Sequence, residues 1–109
     1  MTNFLDYHQH VGTNPDKVFK ATLFQSMRLL VGINCLEPGQ TQAIHKHDDQ
    51  DKFYFVVEGE GYFTVGDESQ TAGEGCSVWA AAGVQHGVTN PGDQRLVLLV
   101  GFAPGSNIK

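Results

Sequence analysis

Gly39-Gln40-Thr41-Gln42-Ala43-Ile44-His45-Lys46-His47, followed further on by Gly83-Val84-Gln85-His86-Gly87-Val88-Thr89-Asn90, decides the reading of this chain. On a β-strand, residues two apart project to the same side, roughly 7 Å apart along the backbone. His45 and His47 can therefore direct both imidazoles at one point. His86, shortly after Gly83 and just before Gly87, supplies a third. Neutral imidazole is the commonest protein ligand for zinc, nickel, copper and iron, and a set of three leaves coordination positions open.

The chain around this pair of stretches has 109 residues, which suits one domain with one core, so any site must be built into that core. Its net charge is -5 and its few basic residues are scattered, which disfavours nucleic acid and anionic membrane surfaces as partners. No apolar run approaches the ~20 residues of a membrane helix. The longest one, Leu96 to Val100, reads as a buried strand. Cys35 and Cys76 lie too far apart and are too few for a disulfide framework or a zinc ribbon. With no signal-peptide pattern ahead of them, they read as buried thiols of a cytoplasmic protein.

Thirteen glycines and four prolines punctuate short segments rich in Val, Phe, Tyr, Leu and Thr. That pattern predicts an all-β barrel or sandwich of antiparallel strands. Strands are expected at Val18 to Gln25, Arg28 to Leu36, Thr41 to His45, Lys52 to Val57, Gly61 to Val65, Cys76 to Ala80 and Arg95 to Phe102. Glu58-Gly59-Glu60-Gly61 and Gly66-Asp67-Glu68-Ser69 have the chemistry of the turns between them. Residues 1–16 are polar and read as an arm or an added edge strand, with the barrel over 17–109. The tail after Pro104, Gly105-Ser106-Asn107, has the composition of a fraying end.

These residues resemble the two motifs of the cupin family, whose fold is a double-stranded β-helix or jelly-roll barrel. The first motif, G-x5-H-x-H-x(3,4)-E-x6-G, is matched by Gly39, His45, His47 and Gly59. The second, G-x5-P-x-G-x2-H-x3-N, is matched by Gly75, Gly83, His86 and Asn90, with Ala81 in place of the proline. In members that keep all four ligands, three histidines and a glutamate hold manganese, iron, nickel, zinc or copper. The resemblance thus implies a divalent transition metal on His45, His47 and His86. Two-fold homodimers are common among small cupins, so the resemblance also implies a homodimer, with the outward aromatics and the amino-terminal arm supplying its surface.

The chain departs from the family where the metal-binding glutamate belongs, because that position is Lys52. An ammonium beside a dication is repelled in a low-dielectric interior, so Lys52 turns away, is neutral, or no metal binds. Its stem could run along apolar surface to reach Asp48, Asp49 or Asp51. Two residues offer a replacement ligand: Gln50, on the same face as Lys52 if the strand starts early, and Asp51, at the shorter spacing the motif tolerates. Tyr54 shares a face with Lys52 and is expected to line the cavity. His8 and His10 repeat the H-x-H spacing without a framing motif, and Asn90 has the turn chemistry of a structural residue. Three functions follow, the first two being a metal-dependent dioxygenase or isomerase acting on a small organic ligand and a metal-independent module for a carboxylate or sugar acid. A barrel that has lost its chemistry and serves as a structural partner is the third.

Overall fold

The computed structural model describes residues 2–105. After one 3-10 turn at Tyr7–Gln9, every regular element among the described residues is a strand. They are β1 Phe19–Gln25, β2 Leu30–Leu36, β3 Thr41–His45, β4 Asp51–Glu58, β5 Gly61–Val65, β6 Glu68–Ala72, β7 Ser77–Ala80, β8 His86–Thr89 and β9 Leu96–Ala103. A five-stranded sheet has the order β1-β2-β9-β4-β7 and a four-stranded sheet the order β3-β8-β5-β6. All pairings are antiparallel.

Side-chain alternation explains why the sheets close on each other. Tyr54 and Val56 of β4, Leu96, Leu98 and Val100 of β9, Phe63 of β5 and Val88 of β8 all enter one buried cluster. A second cluster, Ile33, Cys35 and Val97, lies on the outer face of the five-stranded sheet, where Tyr7 and Val11 cover it. The amino-terminal arm is therefore docked over a sheet face and adds no strand to an edge. Tyr7 Oη donates to Glu58 Oε2 at 2.7 Å, and Gln40 Nε2 donates to the Asn14 carbonyl at 2.7 Å, so the arm is tied at two points.

Two strands, β6 and β8, were not expected from the sequence. The turn expected over residues 66–69 is shorter than foreseen: Glu68 already pairs with Val65, and Gly66 takes the positive φ the tight turn needs. Strand β6 is an edge strand exposed along all but Ala72, so it carries no apolar alternation to read. Of the two cysteines expected to be buried, Cys35 is, and burial pushes its thiol pKa up, whereas Cys76 is only half-buried. Gly105 does not fray: it is buried and its N–H donates to the Met27 carbonyl at 3.0 Å. Ser106 and Asn107 lie outside the described residues.

Asn90 has the structural role its turn chemistry suggests. It is 1% exposed, its Nδ2 donates to the carbonyls of Leu36 and Gln94, each at 2.8 Å, and its Oδ1 accepts from Gly92 N–H at 3.0 Å. Asn90→Ala strands buried backbone groups and should cost about 2–4 kcal/mol, summing two or three lost hydrogen bonds with their desolvation. Urea denaturation checks this.

Candidate metal centre

Strict alternation from Gln42, which is buried, would send Ile44 inward and His45 outward. The structure does the reverse: Ile44 is 58% exposed and His45 faces the interior cluster. The cause is a register shift in the β3–β8 ladder between Gln42 and His45. The extra residue flips the face of everything after it, which brings both His45 and His47 inward. Gly87 makes room for the shifted strand, since a Cβ there would lie 2.9 Å from the Gln42 carbonyl oxygen and 3.1 Å from Ile44.

Beyond the shift, His45 pairs directly with His86 across the ladder, so their side chains share a face. His47 lies just past the strand, and its carbonyl accepts the Gly83 N–H at 2.8 Å. Gly83 has φ +81°, a conformation that favours glycine. One motif's glycine thus fixes the other motif's second histidine.

The donor atoms of His45, His47 and His86 all lie within 4.8 Å of one another. His45 Nδ1 contacts the Ala43 carbonyl at 2.7 Å and His86 Nδ1 contacts the Val84 carbonyl at 3.0 Å. A carbonyl only accepts, so both Nδ1 atoms carry the proton and each neutral ring keeps its lone pair on Nε2. His86 Nε2 is buried and has no hydrogen-bond partner. A buried acceptor left without a donor is what a metal ligand looks like before it is loaded, so these residues fit a divalent transition metal. Burial lowers the pKa of both His47 and His86, with the positive charges of His45 and Lys52 adding to it. Both rings thus stay in the ligand form to lower pH than a free histidine.

Lys52 does not turn away to solvent. It is 3% exposed and points inward from β4, with Nζ 4.4 Å from the Tyr54 ring centroid and 4.9 Å from that of Phe102. The aspartates of the preceding loop do not hold it; Asp48 pairs instead with Lys46 at 3.3 Å. Desolvation, with Lys20 adding like-charge repulsion, lowers the Lys52 pKa to about 7. Tyr54 is wholly buried, its ring centroid 6.1 Å from that of His86, and its hydroxyl donates to Gln42 Oε1 at 3.2 Å.

Neither substitute for the missing glutamate joins the cluster. Gln50 precedes β4, and its Nε2 donates to the Pro104 carbonyl at 2.9 Å. Asp51 faces away from Lys52 and uses Oδ1 to accept the Ala82 N–H at 2.9 Å, steadying the loop toward Gly83. His8 is tied to Asp6 at 2.7 Å, and neither it nor His10 enters the cluster. The sequence reading overlooked Phe102, which stands edge-on to His47 at 5.4 Å, and Lys20, whose charge reaches His47 and Lys52. Alternation along β9 could have revealed Phe102. Lys20 depends on the β1–β2 register, which no local pattern gives.

A double-stranded β-helix with three convergent histidines at one end of its interior is the class that fold and site define. The sequence model of the Cupin domain matches residues 32–102, and the chain belongs to the cupin family. An uncharacterized protein of Streptomyces coelicolor is 38% identical over 74 residues, covering 68% of this chain and 69% of that protein. Among solved structures, TT1209 from Thermus thermophilus is 38% identical, with a TM-score of 0.91 over 94% of this chain and 98% of its own. An uncharacterized conserved protein with a double-stranded β-helix domain from Klebsiella pneumoniae is 20% identical. It superposes with a TM-score of 0.91 over 97% of this chain and 93% of its own, which shows the shared fold.

Lys52 has a folded pKa of about 7, below the 10.5 of a free lysine side chain, so between those limits the unfolded state binds more protons than the folded one. Stability should therefore rise with pH from about 7 to about 10, by on the order of a few kcal/mol from this residue. Below pH 7 the full penalty is present. Lys52→Met should abolish that rising limb and melt higher than the parent at pH 6, as thermal unfolding across pH would show.

Proposed function

We propose that this chain is a metal-dependent cupin in which His45, His47 and His86 bind one divalent transition metal and leave positions open for water and a small organic ligand. The observation that carries this reading is the buried, partnerless Nε2 of His86, beside two further imidazoles whose donor atoms lie within 4.8 Å. An all-imidazole set suits zinc, copper, iron and nickel better than manganese, because the carboxylate that harder ions favour is missing. When bound, the metal would supply Lewis acidity and coordination sites, the chemistry of a dioxygenase or an isomerase. The protein's part is to hold the two Nδ1 protons on backbone carbonyls, keep the rings neutral by burial, and screen the site with Tyr54 and Phe102. We assign it to the cytoplasm on the strength of its two free thiols.

Elemental analysis of untagged protein should give about one metal per chain. His45→Ala, His47→Ala and His86→Ala should each lower affinity at least a hundredfold, while His8→Ala and His10→Ala leave it unchanged. Equal losses at all five would overturn the assignment. Binding should weaken below about pH 6, where imidazoles begin to protonate.

The same reading includes a two-fold homodimer. Beyond the part covered by the arm, the outer face of the five-stranded sheet stays apolar where a solvated face would alternate to polar, with Phe53 and Phe55 on β4 and Gly101 on β9. Leu29, Phe53 and Trp79, exposed by 47%, 36% and 60%, frame an apolar groove of about 220 Å³ over Gly101. For two copies that each carry a net charge of -5, this mostly apolar face, with Asp51 at the groove, is where they can approach. Light scattering should give twice 11.9 kDa, and Trp79→Asp should shift it to the monomer mass. Deleting residues 1–11 should weaken the dimer if the arm takes part.

A further inference from the structure

Neither the core nor the three-histidine centre gives Lys52 a use. It is a primary amine, almost wholly buried, and it faces the interior at the position where the family's first motif carries an acid. Among the described residues no carboxylate lies within 4.0 Å of it; the ion pairs there are His8 with Asp6 and Lys46 with Asp48. The faces of Tyr54 and Phe102 attract the ammonium but bring no negative charge. A methionine or leucine would fill the same space without the cost of burying an unpaired cation, so packing alone does not account for an amine.

We infer that Lys52 is the anion-binding group of this site, receiving the carboxylate of a small organic acid whose second oxygen donor faces the three histidines. The inference rests on the metal-centre reading for that second oxygen, and on Lys52 alone for the carboxylate. The two rings that hold Nζ are the ones that meet the cluster: Tyr54 lies 6.1 Å from His86 and Phe102 lies 5.4 Å from His47. Each ring thus touches both the amine and one imidazole, which places Lys52 and the three histidines at the same end of the interior. Lys20, exposed on β1, adds positive charge felt at Lys52 and at His47, where the charge of Asp49 opposes it. Carboxylate fits better than phosphate. A phosphate needs several converging donors such as arginines or a helix N-terminus, and no helix longer than one 3-10 turn exists among the described residues.

Calorimetry with Co2+, malonate and the neutral malonamide on wild type, Lys52→Met and Lys52→Gln separates the two readings. Wild type should bind Co2+ and then malonate, with malonamide at least tenfold weaker. Both variants should bind Co2+ at least as tightly, because a nearby cation is gone, and should lose malonate affinity at least tenfold. Malonate binding that is equal in wild type and variants, with Co2+ bound by all, overturns the role of Lys52 and leaves the metal centre standing. Malonate binding that depends on Lys52 in protein that takes no Co2+ upholds Lys52 and overturns the metal centre. Wild type that binds neither overturns both. Should the variants fail to fold, isotope-labelled lysine in wild type gives the same decision: malonate must move the Lys52 side-chain nitrogen resonance, and an unmoved resonance overturns the inference.

Discussion

The pairing of β3 with β8 is the constraint on which the site depends. It joins two stretches of chain some forty residues apart, and it is clamped at both ends by backbone hydrogen bonds. At one end Gly39 N–H donates to the Asn90 carbonyl, and Asn90 N–H donates to that of Gln40, each at 3.0 Å. At the other end Gly83 N–H reaches the His47 carbonyl. Between the clamps the strands have no freedom to slip, so the extra residue after Gln42 must be absorbed as a local shift. That shift decides which face His45 and His47 take, and a slip of one residue would empty the interior of both imidazoles. Gly87 is where the shift is accommodated, because its missing side chain is the space the β3 backbone occupies.

This explains what the sequence could and could not convey. The motif glycines were legible because positive φ is a single-residue requirement: Gly39, Gly59, Gly75 and Gly83 all adopt it. The H-x-H spacing was legible for the same local reason, and the three histidines do converge. The face they occupy was not, since simple alternation from buried Gln42 points His45 outward, and only the partner strand reveals the shift. Strand β6 was missed because Glu68-Ser69-Gln70-Thr71 is exposed on an edge and has no apolar period. The docking of the arm was equally hidden: Tyr7 and Val11 cover Ile33, Cys35 and Val97 through contacts remote in sequence, whereas the arm's polar composition left an arm and an added edge strand both open.

Lys52 shows a different limit. Its position on the inward face could be read from its alternation with Tyr54 and Val56, yet lysine's long stem gave it a route to solvent. The route is closed by packing. Ala80 and Phe102 flank it on the neighbouring strands, Asp48 pairs with Lys46, and Asp51 at the start of β4 accepts from the Ala82 amide. A residue's escape depends on what its neighbours leave open, and that is a tertiary property.

Replacing an acid by a base at this point reverses the electrostatics of the site. With a glutamate, three neutral imidazoles and a dication leave a local charge of about +1, which the interior tolerates because the acid is both ligand and counter-ion. With Lys52 the same dication faces a group that lowers its own charge only by losing a proton. A metal bound there and the Lys52 proton would compete at a distance, each weakening the other's binding by the same free energy, as linkage requires. A carboxylate entering between them is attracted by both, so it relieves the repulsion instead of adding to it. On the proposed reading the substitution moves the negative charge from the protein to the ligand, so that an anion bound between metal and ammonium would strengthen the binding of both.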